Sequence, residues 1–340
     1  MSRIRRLPKM STYLLATALS VPVLGGAAVA EDKTVEIITT PIATSFVNAI
    51  SGAADIPGFQ LTEMNSVPAL EDLCSNKATG TGRVVLTAMT ITPGIAETCA
   101  ENGISELFEA QLGFLTLVLV QKSTDPALNL TSKQLFMALA KNVPDGEGFT
   151  ENNAERWSDV DPKLPDSAIK MIMAPRPGVT RSIFEAEAMV GGCRKFQVVK
   201  NIFEADPRVA TCTTMRESTL QEVDDGAQRI EAIRAAEPGA VGLIPINAYE
   251  ANKDWLRIIP FEGLLPTPQD INAEDYNLAS PIYIYADALA IGAAEDGTAL
   301  RRWMVEALGE AAIGEGGYVE AMGLTPLPSA AREWQRQTLP

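Results

Sequence analysis

Four cysteines stand in a chain that has no histidine, and those two counts already restrict its chemistry. Without imidazole there is no Ser-His-Asp or Cys-His nucleophile, no His-ligated zinc and no histidine general base. Cys74, Cys99, Cys193 and Cys212 fall as two local pairs, with 24 residues between the first two and 18 between the second two. No Cys-x-x-Cys spacing occurs, which argues against a metal or redox centre. Four cysteines allow three pairings. Locality favours 74 with 99 and 193 with 212, as structural staples that each contribute about 3 kcal/mol in the chain-entropy model. The carboxylate pairs Asp224-Asp225 and Glu274-Asp275 read as a helix start and a solvated turn, and Gly80-Thr81-Gly82 is too little to make a phosphate loop. Thr180 stands where a helix begins and reads as its N-cap. Arg176, on the turn beneath that start, and Arg181 are the cations placed to serve an anion; their plain alternative is solvation on an acidic surface. No cofactor and no catalytic set is expected, and the chain does not read as an enzyme.

The rest of the composition narrows the class further. The 340 residues are 46% apolar, 21% charged and 6% aromatic, enough for two lobes of ordinary size. With 28 Lys and Arg against 43 Asp and Glu, the net charge is −15. Nucleic acid and anionic lipid need clustered cations, so neither is an expected partner. Arg3, Arg5, Arg6 and Lys9 form a basic head, residues 13–23 are nearly uncharged and apolar, and Ala28-Val29-Ala30 offers a small-x-small cleavage site. Residues 1–30 therefore read as a signal peptide, removed before Glu31. Its removal leaves 24 cations against 43 acids, net −19. No apolar run of about eighteen residues follows position 30, so the mature chain is expected in a bacterial periplasm with no stable membrane insertion.

Elements that would position a site alternate in type. Residues 34–38, 84–87, 115–120, 169–174 and 240–245 read as strands, the third as one buried on both faces. Helices are expected over 42–50, from Pro93 to Asn102-Gly103, from Thr131 with Gln134 behind it, from Thr180, and along Val223, Ala227, Ile230 and Ile233 up to Pro238-Gly239. Residues 142–168 read as an irregular excursion. The alternation predicts an α/β fold with a mixed, mostly parallel sheet in each of two lobes.

In order and spacing, several passages resemble the periplasmic phosphate-binding receptor of the phosphate ABC transporter, the PstS type, a type II periplasmic binding protein. They are Cys99-Ala-Glu-Asn-Gly-Ile, Leu130-Thr-Ser-Lys-Gln-Leu-Phe-Met-Ala-Leu, Trp157-Ser-Asp-Val-Asp-Pro-Lys-Leu-Pro, Gly178-Val-Thr-Arg-Ser-Ile-Phe, Pro238-Gly-Ala-Val-Gly-Leu-Ile and Gly316-Gly-Tyr-Val-Glu-Ala-Met-Gly-Leu-Thr-Pro-Leu-Pro. The likeness spans residues 34–328, and the local cysteine pairs match relatives of this receptor too. It implies two lobes, 31–116 plus 248–340 and 117–247, with a small solute or anion in an interlobe cleft. The strands crossing between the lobes would lie near 115–121 and 242–248, and an ABC permease would be the partner.

Such receptors hold a desolvated oxyanion on hydroxyls and backbone N–H groups at helix N-termini. The resemblance carries those roles to Thr39 and Thr40 after the first strand, to Ser66 in the second turn, and to Gly178, Val179, Thr180 and Arg181 in the last, with Arg176 beside them. The chain also departs from the pattern. Thr39-Thr40-Pro41 lacks glycine, Val67 and Pro68 stand where the second turn should be glycine-rich, and Val179 replaces glycine in the fourth. No carboxylate near Arg83-Val84-Val85 replaces the acid that accepts the proton of hydrogen phosphate. Phosphate binding is thus expected to be weak or absent. The alternative is a binding-protein fold that acts as a sensor or a protein-interaction partner.

Overall fold

The structure, a computed structural model, describes residues 3–6, 35–56, 58–75, 82–295 and 297–340. The apolar stretch and cleavage site of the expected signal peptide lie outside them, as do Gly80 and Thr81. Thirteen strands are described: β1 (Arg3–Arg6), β2 (Val35–Thr39), β3 (Gln60–Glu63), β4 (Gly82–Thr87), β5 (Glu106–Lys122), β6 (Asn142–Asp145), β7 (Gly148–Glu151), β8 (Lys170–Met173), β9 (Leu220–Glu222), β10 (Ala240–Pro245), β11 (Leu256–Ile259), β12 (Ala279–Asp287) and β13 (Leu324–Pro326).

Two compact units result. The first runs to Gly113 and takes in Pro281–Met322 and Pro326–Pro340; the second is Phe114–Ser280 with Gly323–Thr325. In the first unit the strand order is β3-β2-β4-β12-β5, with β2 parallel to β3 and β4 and with β12 antiparallel to β4. Its apolar layer includes Ile38, Leu70, Leu73, Val85, Ile95, Leu107 and Tyr285, and the Cys74–Cys99 disulfide lies within it. Thr92 caps the helix Pro93–Glu101 by accepting from the Ile95 amide, and Pro93 at its first position has no N–H to lose.

In the second unit the order is β5-β10-β8-β9, with β10, β8 and β9 mutually parallel and β10 antiparallel to β5. Thr131 and Gln134 form the expected capping box on the helix Ser132–Leu139. Asp225 caps Gly226–Ala235 by accepting from the Gln228 amide at 2.8 Å, the structural role expected of the Asp224-Asp225 pair. The helical rod that begins at Val179 continues through a π-helical stretch, Glu185–Val190, to Cys193, which pairs with Cys212. A Cβ at Gly192 would fall on the Ser132 carbonyl, so glycine lets this rod lie close against the helix Ser132–Leu139.

Three expectations need correction. Residues 248–280 pack with the second unit, not the first. There β11 pairs with residues 119–122 of β5, and the buried Tyr276 hydroxyl donates to the Leu117 carbonyl at 3.0 Å. No crossing occurs at 242–248, because β10 is internal to the second unit; the chain passes between units within β5, within β12 and at either end of Gly323–Thr325. The excursion at 142–168 contains the β6–β7 hairpin and a short helix, Trp157–Val160, whose Trp157 side chain is buried and donates to the Gly239 carbonyl.

Candidate functional site

In each unit the candidate residues gather at the carboxyl ends of parallel strands, where open α/β sheets bind ligands. Within the first unit, Thr39 ends β2 opposite Leu86 of β4 and Glu63 of β3. Thr39 and Thr40 are both buried; the Thr39 hydroxyl donates to the Thr40 carbonyl, but the Thr40 hydroxyl has no partner among the described residues. Thr40 leads into the 3-10 turn Pro41–Ala43 and then the helix Thr44–Ala53, yet its side chain makes no cap bond. Ser66, half-buried, opens the helix Ser66–Ser75 just past β3, while Val67 and Pro68 behind it are exposed.

Sequence reasoning missed Thr87. It ends β4 one register step beyond Leu86, is fully buried, and accepts from the Met89 amide at 3.2 Å. A hydroxyl closing an apolar strand was the available signal. β4 itself, Gly82–Thr87, carries no carboxylate. Arg83 is engaged by Glu36 at 2.5 Å and Asp72 at 3.2 Å, and the buried acid close by, Glu109, accepts from the Tyr285 hydroxyl. That hydroxyl in turn receives the Ile91 amide, which fixes the loop after β4.

Within the second unit, Arg176, Gly178, Val179, Thr180 and Arg181 surround the turn that follows β8. Gly178, not Thr180, is the N-cap: Thr180 lies inside the helix, and its hydroxyl bonds to no described residue. The helix begins at Val179, and the Gly178 carbonyl accepts its first intrahelical bond, from the Ser182 amide at 2.9 Å. Arg181 is 4% exposed. Its Nε lies 2.5 Å from Glu185, its Nη1 2.9 Å from Glu222, and the sulfurs of Met173 and Met215 line the guanidinium. Glu222 reaches it because β9 runs parallel to β8, with Glu222 opposite Met173. Arg176 donates to the same Glu185 at 2.6 Å and to the Thr213 carbonyl. Two guanidinium groups thus face two carboxylates, and neither remains a free cation. Burial raises the pKa of Glu187, one residue pair further along the π-helical stretch. Among the described residues no group of His, Cys, Asp or Glu is gathered to hold a metal.

Two α/β units of this topology, joined by shared strands and carrying hydroxyls at strand ends, define a periplasmic-binding-protein architecture. The chain belongs to the PBP superfamily domain family, whose model matches residues 27–307. Among solved structures it is similar to a possible phosphate binding protein from Planctomyces limnophilus, with 17% identity and a TM-score of 0.64, over 90% of this chain and 97% of that one. It is also similar to an ABC-type phosphate transport receptor from Vibrio cholerae, with 18% identity and a TM-score of 0.57, over 86% and 100%. For PstS from Borrelia burgdorferi the values are 16%, 0.56, 87% and 100%. At these identities the likeness is one of fold. No curated protein sequence matches.

Proposed function

We propose that this protein is a solute-binding receptor, exported by its basic, apolar leader to the periplasm, that hands a small polar solute to an ABC permease. The observation that carries the reading is the Thr40 hydroxyl, buried and unpartnered at the carboxyl end of β2. Leaving such a group unsatisfied costs about 1–3 kcal/mol, a cost that a solute oxygen or nitrogen removes on binding. Thr39, Thr87 and the start of the helix at Ser66 lie at the same end of the sheet, so hydroxyls cluster there around Thr40.

The similar structures include phosphate-binding and phosphate-transport receptors, but the second unit here offers little to an anion. Arg181 and Arg176 are neutralised by Glu185 and Glu222, so the solute is held through hydroxyls and backbone groups rather than by net positive charge. Phosphate is consequently a poor ligand. A thermal-shift panel of phosphate, sulfate, molybdate, phosphonates, organic acids and neutral polar solutes tests this, because a true ligand raises the melting point in proportion to ln(1 + [L]/Kd). A second reading, a sensor or interaction protein without a solute, is favoured by Phe203, 89% exposed on the second unit. A flat panel would select it.

A further inference from the structure

In each unit an outermost strand ends on a glutamate. β3 of the first unit ends at Glu63, opposite Thr39 of β2; β9 of the second ends at Glu222, opposite Met173 of β8. Each carboxylate turns to the helix that follows its neighbouring strand. Glu222 accepts from Arg181, and with Glu185 it offsets the two arginines of that turn. Glu63, which is exposed, meets only a neutral group. Its Oε1 accepts from the hydroxyl of Thr44, the first residue of the helix Thr44–Ala53, and among the described residues no cation pairs with it. Arg83, the arginine of β4, stands toward the opposite end of its strand, where Glu36 and Asp72 hold it.

This helix start, where an oxyanion would otherwise be favoured, thus already holds the protein's own carboxylate. That group still has acceptor capacity, because a carboxylate takes about four hydrogen bonds and Thr44 supplies one. Thr40 belongs to the same turn: its carbonyl accepts from the Ala43 amide at 2.9 Å, one residue before Thr44. The Thr40 hydroxyl, on a residue 1% exposed, is the second acceptor without a donor there. Met64, directly after Glu63, and Met89, just beyond Thr87, are half-buried against the apolar layer of this unit. Thioethers give adaptable apolar surface. Resting on the receptor reading above, we propose that the solute is a small aliphatic amine in its ammonium form. Its N–H groups donate to Glu63 and to the Thr40 hydroxyl, and its chain lies against Met64 and Met89. A phosphate or carboxylate would meet Glu63 as like charge, whereas an ammonium makes a charge-assisted bond with it.

The test compares matched probes by thermal shift and calorimetry: butylamine, butanol and butyrate, then putrescine, butanediol and succinate. Each trio keeps its carbon skeleton and changes only the charge of its ends. The amine of each trio is expected to raise the melting point most, with an affinity that falls as salt rises. Glu63→Gln should weaken amine binding about tenfold and leave the alcohols unchanged, since one charge-assisted bond becomes a neutral one. The comparison within the wild type needs no variant, so a poorly folded Glu63→Gln does not blunt it. Alcohols or carboxylates that match or exceed the amines overturn the proposal and leave the receptor reading standing. A response confined to the anions or neutral solutes of the wider panel does the same, as does amine binding indifferent to both salt and Glu63→Gln. A flat result with these probes and with the wider panel overturns both.

Discussion

Arg181 and Glu185 stand one helical turn apart, with Nε and Oε1 separated by 2.5 Å, and this pair converts a buried cation into an internal ion pair. Glu222 closes the other side of the guanidinium, and Arg176 shares Glu185. A charge buried with its partners is structural before it is functional: removing one partner leaves an uncompensated charge, which costs about 3–5 kcal/mol when fully buried. Here Glu185 keeps Arg176 and Glu222 is partly exposed, so Arg181→Ala should lower stability by less, about 1–3 kcal/mol, measured by urea unfolding. An unaltered midpoint would mean that the pair carries little.

Releasing the arginine should do the opposite to ligand preference. Glu222→Gln keeps the shape of the side chain and removes one of the two negative charges on Arg181. Phosphate and sulfate should then stabilise the protein more than they do the wild type, with affinity higher by roughly tenfold, about 1.4 kcal/mol. Equal responses in the two proteins would show that Arg181 does not face the solute.

Thr40 gives a discriminating substitution. Thr40→Val replaces a buried, unpartnered hydroxyl by a methyl group of similar size. Free protein should be unchanged or more stable by about 1 kcal/mol, because an unsatisfied polar group is gone. The melting-point rise produced by any ligand found in the panel should disappear. Loss of stability in the free protein, with ligand response intact, would place this hydroxyl in the scaffold.

Acid should loosen the second unit through Glu262. Burial alone would raise its pKa, but Lys195, at 2.7 Å, and the hydroxyl and amide of Ser132 outweigh burial and hold its carboxyl below the ordinary glutamate value of 4.5. A depressed carboxyl favours the folded state above its unfolded pKa, and that contribution is lost as pH falls through the folded pKa. Glu262→Gln should cost about 1–2 kcal/mol near neutrality. The variant should also lose less stability than wild type between about pH 5 and about pH 3, followed by chemical denaturation. Parallel pH curves would contradict the assignment.

The Cys193–Cys212 bridge closes a short loop, with a sequence separation of 19, between the end of the helical rod and the helix Ala205–Thr213. Cys193→Ala with Cys212→Ala should destabilise by about 3 kcal/mol. Peptide mapping without reductant should return 74 with 99 and 193 with 212; free thiols would contradict the pairing.

Local chemistry was legible where it acts within a few residues. Thr131 with Gln134, Pro93 behind Thr92, and the neighbouring cysteines all declare themselves by spacing. The β10 strand shows as an apolar run bounded by Pro238-Gly239 and Pro245. Long-range satisfaction was not legible. The sequence reading begins β5 at Leu115, but the strand starts at Glu106: the Glu109 carboxylate accepts from the Tyr285 hydroxyl and the Gln111 backbone amide donates to the Gln335 side chain, from 176 and 224 residues away. The packing of 248–280 onto the second unit likewise rests on β11 and Tyr276, whose partners in β5 lie more than a hundred residues earlier. At the candidate site, Glu185 was readable one turn after Arg181, whereas Glu222 depends on β9 lying beside β8. The unpartnered state of the Thr40 hydroxyl is a property of the packed fold alone.

Calorimetric titration of the wild-type protein with inorganic phosphate tests the central claim most directly. With Arg181 and Arg176 neutralised from within, and Pro68 in the first turn of the helix Ser66–Ser75 without an N–H to offer, each donor withheld from the anion forfeits about 1–3 kcal/mol. Together they move a micromolar-class site to about millimolar or weaker, since each ~1.4 kcal/mol is tenfold. The account predicts no saturable heat at micromolar phosphate. A saturable isotherm with a micromolar dissociation constant would contradict it.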